Sequence, residues 1–306
     1  VLSGFIMFVI SREDAGRPGG WMRFLRKRLT RVVPPYWFFT TLMLAVVVAA
    51  PGLVSNAALE PLHALGSYLF IPVDNSQGEA FPLLALGWTL NHEVFFYVLF
   101  ALGLLFARPV GVWVTAVLVA SCGLVGWLAA PVQAPASFWL NPIVFEFLLG
   151  MALGSLHERG FRLSAGPAAL LALLGLAGLW MASTGFHGGV LVPERALWMG
   201  LPALCLVAAG ALADSPPAAG RWMRAGVLGG DASYALYLSH PFTLALCAWV
   251  FRSLGWPLGW VTLLLACAAC LLVAVVFHLW LEKPLVSRLN RLFSRPRISP
   301  QCASST

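Results

Sequence analysis

Residues 258–281 read LGWVTLLLACAACLLVAVVFHLWL, a run without a single Asp, Glu, Lys or Arg. An α-helix rises about 1.5 Å per residue and the hydrocarbon layer of a bilayer is about 30 Å thick, so about 20 apolar residues cross it. This run is long enough. A strand of a membrane barrel alternates lipid-facing and lumen-facing residues over about 10 positions. Continuous Leu, Ala and Val do not alternate, which leaves the helix as the form that satisfies every backbone N–H and C=O inside the segment.

The same pattern recurs upstream at 33–50, 83–106, 111–130, 138–156, 166–183, 196–213 and 232–252. Pro51-Gly52, Pro131, Pro216-Pro217 and Gly255-Trp256-Pro257 punctuate the connections, as turn chemistry requires. Of the 306 residues, 60% are hydrophobic and 10% charged, more apolar surface than one water-soluble core can hold. The expected class is all-α: a polytopic transmembrane bundle of eight full spans, preceded by a partial helix from Val1 to Ile10. That first stretch has no basic region ahead of it and no small-residue cleavage site after it, so it reads as part of a span and not as a signal peptide.

Charge tests this topology independently, because short cytoplasmic loops hold Lys and Arg while outer loops do not. If Val1–Ile10 exits to the cytoplasm, the next loop carries Arg12, Arg17, Arg23, Arg26, Lys27, Arg28 and Arg31. Later cytoplasmic segments hold Arg108, Arg159, Arg162, Arg221, Arg224, Lys283, Arg288, Arg291, Arg295 and Arg297. Of the 19 basic residues, only Arg195 and Arg252 then lie outside. The net charge of +7 is thus a topology signal, with attraction to anionic membrane lipid as a second use, and gives no reason to expect nucleic acid. The six cysteines fall mostly inside apolar runs. Cys267-x-x-Cys270 lacks a second pair or a nearby His, so it reads as helix packing and no metal site is expected.

An ionisable side chain at the centre of a span costs about 2.5–3.5 kcal/mol by insertion scales, so each needs a reason. The segment Trp88-Thr89-Leu90-Asn91-His92-Glu93 continues to Tyr97, and Glu93 and Tyr97 stack at i,i+4. One helix thus offers an indole, an imidazole, a carboxylate and a phenol, either to a reaction or to a buried packing network. His240 precedes Pro241, whose missing N–H frees a backbone carbonyl beside the imidazole. Arg28 and Arg31 stand at i,i+3 below the first full span, suited to a phosphorylated ligand or to plain positive-inside anchoring. Glu146, near mid-span, has to be protonated or paired. Glu282 and His278 sit at the last helix exit and read as interfacial, structural residues.

In order along the chain, these motifs resemble the acyltransferase 3 family of bacterial membrane O-acyltransferases. Val1-Leu2-Ser3-Gly4-Phe5 is similar to its "LSGF", and Arg28-x-x-Arg31-Val32-x-Pro34-x-Tyr36 to its "RxxRIxPxY". Trp88-Thr89-Leu90 with Glu93 and Tyr97 resembles its Trp-Leu-Glu-Tyr element. Ser233-Tyr234-x-x-Tyr237-Leu238-x-His240-Pro241 resembles "SYxxYLxHxP", and Glu282-Lys283-Pro284 resembles "ExP". The resemblance implies ten core helices, which the eight spans, the partial helix and one preceding helix would supply. It implies a membrane acyltransferase domain over residues 1–297 lacking its first transmembrane helix, and a disordered cytoplasmic tail over 298–306. The family's first helix carries an Arg and, further along, a His taken as catalytic. No residue here stands for them, so the chain by itself is expected to be inactive.

The resemblance further implies an acyl group, acetyl above all, passed from acetyl-CoA or another acyl-CoA to a hydroxyl of a sugar, glycolipid, lipid-linked glycan or cell-surface polysaccharide. Acyl-CoA is then a co-substrate, with no bound cofactor. Glu93 and His240 are the implied catalytic residues, and Arg28, Arg31 and Tyr36 the donor-binding ones. Trp88, His92, Tyr97 and Glu146 would position the acceptor. The location implied is the bacterial inner membrane, with a cytoplasmic C-terminus. A transporter or flippase of a glycan or lipid is the main rival, since polar midplane residues also suit a translocation path. It would show inverted repeats and paired broken helices, and the sequence has neither. Green fluorescent protein fused after Phe293 is expected to fluoresce and alkaline phosphatase fused there to stay inactive; the opposite pair of results would invert the orientation.

Overall fold

The computed structural model describes residues 1–50, 60–78, 80–188, 192, 194–214, 220–257 and 259–293. The turns expected at Pro51-Gly52 and Pro216-Pro217, together with Arg295, Arg297 and the 298–306 tail, lie outside the described residues. Helices α1 (Leu2–Ile10), α2 (Gly20–Ala49), α3 (Pro61–Leu69), α4 (Trp88–Gly103) and α5 (Arg108–Ala129) come first. A short α6 (Ala136–Trp139) precedes α7 (Phe145–Glu158) and α8 (Ala165–Gly185). A π-helical turn at Ala196–Gly200 leads into α9 (Leu201–Leu212), followed by α10 (Arg221–Asp231), α11 (Ser233–Ser253) and α12 (Trp260–Phe277). A second π-helical turn, His278–Glu282, leads into α13 (Lys283–Phe293). Among the described residues there is no strand, and one isolated bridge pairs Leu163 with Ala213. The protein is an all-α polytopic bundle.

Every apolar run predicted from the sequence falls on a helix. Among the described residues, seven segments are long and apolar enough to cross a bilayer: Gly20–Ala49, Ala85–Gly103, Arg108–Ala129, Ala136–Glu158, Ala165–Gly185, Ser233–Ser253 and Trp260–Phe293. The remaining run, Ala196–Leu212, is a shorter apolar helix. Large apolar side chains are displayed outward along these segments. Trp113 is 73% exposed, Trp180 74% and Trp260 82%, which lipid tolerates and water would not.

The chain clusters into two units, Val1–Arg26 with Thr40–Ala219, and Lys27–Phe39 with the residues from Gly220 onward. In the first unit α1 lies along α7 and α8 along α9. Lipid tails are as apolar as Leu, so helices here associate through close packing, for which small residues clear the way. A Cβ on Gly4 would fall 2.2 Å from the carbonyl oxygen of Phe147, and one on Gly150 would fall 2.0 Å from that of Val1. Gly154, one turn on, leaves its space to the Phe8 ring. In the second unit the middle of α2 is tied to α11 and α12. Tyr234 donates its hydroxyl to the Val32 carbonyl at 2.8 Å, and Phe39 rests on Phe242 and Phe277 at centroid distances of 5.7 and 4.8 Å.

The structure goes beyond the expected spans at three places. Helix α2 begins at Gly20, where Gly19 takes a φ of 71°, and not at Val33. The basic cluster is therefore helical, and Pro34 and Pro35 lie inside the helix. Between α2 and α4, α3 is a further helix. It is preceded by Glu60, whose carboxyl is held below the usual carboxylate range by hydrogen bonding from Ser76, with the backbone N–H at 2.8 Å. Helix α13 carries Leu285, Leu289 and Leu292 at i, i+4 and i+7, with Lys283, Arg288 and Arg291 elsewhere on its circumference.

Close packing of α1 on α7 makes a direct prediction. Gly150→Val should lower the thermal midpoint of the detergent-solubilised protein, since overpacking against backbone costs about 1–3 kcal/mol or more. Gly210→Val on α9, where an added Cβ meets nothing within 4 Å, should leave it nearly unchanged. Size-exclusion chromatography after heating reads the difference.

Candidate active site

The most concentrated polar group of the first unit is built on α4. Glu93 and Tyr97 lie one turn apart, and the Tyr97 hydroxyl donates to Glu93 Oε1 at 2.7 Å. From α1, Ser3 Oγ donates to the same oxygen at 2.9 Å. Both bonds fall on Oε1, and among the described residues none falls on Oε2. Tyr97 is buried, its ring edge-on to Phe24 at 6.0 Å. The i,i+4 stacking expected from the sequence is thus realised as a hydrogen bond. Ser3 is an addition that the sequence reading did not single out, because its partner lies 90 residues away.

Glu146, on the first turn of α7, is paired. Arg195 Nη1 donates to its Oε1 at 2.8 Å, and the guanidinium lies over the Trp88 ring, 5.6 Å from the centroid. Gly200 makes room, since a Cβ there would stand 3.2 Å from Glu146 Cγ. The alternatives left open for Glu146, protonation or a partner, resolve to a partner that had been assigned to an outer loop. Across α1, the Val1 nitrogen stands 4.0 Å from Glu146 Oε2 while Ser3 reaches Glu93, so the first turn of α1 lies between the two carboxylates. His92 directs Nδ1 to the Trp88 carbonyl at 3.0 Å and sets its ring against Phe138 at 5.4 Å. Phe95 stacks on Trp139 in the same seam, 5.4 Å between centroids.

Arg28, Arg31, Tyr36 and His240 belong to the second unit. Arg31 is exposed and lines a groove of about 280 Å³ with Asp231, His278, Glu282, Lys283 and Asn290. Glu282 is buried there, its Oε2 2.9 Å from His278 Nδ1 across the π-helical turn. His278 and Glu282, expected as interfacial structural residues, pair with each other and also line the groove that holds Arg31. Their i,i+4 spacing was the available signal. Arg28 is half-buried, and Tyr36 is fully buried in α2.

His240 shows what Pro241 does. Proline has no N–H, so the Tyr237 carbonyl, four residues earlier, loses its helical donor. His240 Nδ1 supplies the replacement at 2.9 Å and also approaches the Leu236 carbonyl at 3.2 Å. Carbonyl oxygens only accept, so Nδ1 carries the proton and Nε2 presents its lone pair in the neutral ring. The proline thereby fixes the tautomer of its neighbour.

Fold and site together define a multi-pass helical membrane protein that holds carboxylates, with their hydroxyl and guanidinium partners, among its spans. The chain belongs to the acyltransferase 3 family: the family's model, described as an acyltransferase domain, matches residues 1–279. It is 32% identical over 300 residues to the exopolysaccharide production protein ExoZ of Rhizobium meliloti (strain 1021), a match covering 94% of this chain and 87% of that protein. No solved structure matches the chain. The resemblance read from the motifs is the family found, and the protein is a membrane acyltransferase.

Removing one member of a part-buried ion pair leaves the other desolvated and alone. Arg195→Ala should therefore destabilise the protein by about 1–3 kcal/mol, discounted for the 17–22% exposure of the pair. Arg195→Met combined with Glu146→Gln should recover much of that loss in a thermal unfolding series.

Proposed function

We propose that this membrane acyltransferase moves an acyl group, acetyl by preference, from acyl-CoA to a hydroxyl of an exopolysaccharide or of its lipid-linked precursor. Family membership supports the reaction class, and the acceptor class rests on the likeness to a protein of exopolysaccharide production. The observation that carries the reading is Glu93, an ionisable carboxyl kept on a membrane span and held by two hydroxyl donors from two helices. A costly ionisable group inside a span marks a functional site by default.

In the proposed reaction the acceptor hydroxyl attacks the thioester carbonyl. A C–O bond forms and the C–S bond breaks, while the hydroxyl proton passes to a base and the thiol leaves with a proton. Two residues are proposed as proton acceptors: Glu93 of the first unit and His240, through Nε2, of the second. Arg31, with Arg28 and Lys283, supplies charge-assisted donors for the donor's phosphates, and Tyr36 stiffens α2 beside them. Trp88, His92, Tyr97 and the Arg195–Glu146 pair shape the acceptor side. The protein sits in the inner membrane of a bacterium, with its C-terminus in the cytoplasm where acyl-CoA is found.

Proteoliposomes carrying the intact protein, given radiolabelled acetyl-CoA and de-acetylated exopolysaccharide, are expected to transfer label to the polymer. Glu93→Gln and His240→Ala should each lower kcat by about 100-fold or more, within the usual worth of a general acid or base. Arg31→Ala should raise the KM for acyl-CoA by about 10-fold, the loss of one charge-assisted contact. No acyl transfer from any acyl-CoA, with movement of an unmodified glycan instead, would overturn the reading in favour of a flippase.

A further inference from the structure

We propose that Ser3 is a positioning residue for Glu93, setting the direction in which the carboxylate offers its second oxygen. The inference rests on the assignment of Glu93 above and goes beyond it. Tyr97 holds Glu93 from one turn along the same helix, so by itself it moves wherever that helix face moves. Ser3 reaches Oε1 from α1, at 2.9 Å, and supplies a reference point outside α4. That point is rigidly mounted. The next residue, Gly4, is packed so tightly on α7 that a Cβ would fall 2.2 Å from the Phe147 carbonyl oxygen, and Gly150 and Gly154 close the same seam from the other side.

Two donors from two helices therefore converge on one oxygen. With Oε1 occupied from both sides, the carboxyl plane is fixed and Oε2 is the atom offered to an incoming hydroxyl. A displacement of the reacting group by about 1 Å can cost about 100-fold in rate, so a device that fixes this plane acts on turnover and leaves binding untouched. The sequence-level motif explains none of this, because a Ser beside a small residue on an apolar helix reads equally well as close packing.

The test uses the intact protein in proteoliposomes, with radiolabelled acetyl-CoA as donor and de-acetylated polymer as acceptor. Ser3→Ala is expected to lower kcat by about 10-fold with the KM of both substrates unchanged, while Ser3→Thr, which keeps the hydroxyl, returns most of the rate. Ser3→Cys has nearly the same size but a poor donor. It should fall like Ser3→Ala, and it keeps the test decisive if the alanine variant fails to assemble. In a Glu93→Gln background, Ser3→Ala should add no further loss to the residual rate. An unchanged kcat in Ser3→Ala and Ser3→Cys overturns the proposal, as does an equal loss with and without Glu93. Wild-type turnover in Glu93→Gln alone would instead defeat the assignment of Glu93 on which the proposal stands, so the two failures are told apart.

Discussion

Hydrocarbon offers no hydrogen bonds, so a carboxyl inside the spans is held by partners from the protein. The candidate site follows from that accounting. Glu93 is held by Ser3 and Tyr97, Glu146 by Arg195, and Glu282 by His278. Even the defect made by Pro241 is repaired locally, by the imidazole one residue before it. An unpaired carboxylate in this environment would cost several kilocalories per mole, so the pairings are conditions of folding before they are features of a site.

The same solvent removes the usual force between helices. Burying Leu against Leu gains little when lipid already surrounds both, so close backbone approach has to do what hydrophobic burial does in water. The α1–α7 seam shows how. Gly4 and Gly150 bring the two helix backbones together, Gly154 makes room for the Phe8 ring, and the tight seam carries polar atoms at one end, Ser3 on one helix and Glu146 on the other. Packing and polar pairing are thus one construction: the glycines fix the helices, and the fixed helices bring donors to acceptors.

What could be seen in the sequence divides along these lines. Spans were legible because hydropathy reports directly on the solvent. The start of α2 was not, since hydropathy measures only the part of a helix that lies in lipid, and the basic turns from Gly20 to Val32 lie beyond it. Within the site, contacts along one helix were legible from periodicity, as Glu93 and Tyr97 show. Contacts between distant elements were not. Ser3 lies 90 residues from Glu93 and Arg195 49 residues from Glu146, and no spacing rule links them. Glu282 and His278 are a different case: their i,i+4 relation is visible in the sequence and is realised as a pair, while the groove they share with Arg31 is not visible there.

The cost of an interior carboxylate and its usefulness have one origin. Electrostatic interactions strengthen as the effective dielectric falls, so a donor that satisfies Glu93 at rest also holds it more firmly than it could in water. A carboxylate held by fixed protein donors has less surrounding solvent to reorganise than one in water, the kind of preorganisation on which enzymes commonly draw. The chain accepts an ionisable residue inside an apolar span and holds one of its oxygens with hydroxyls from two helices.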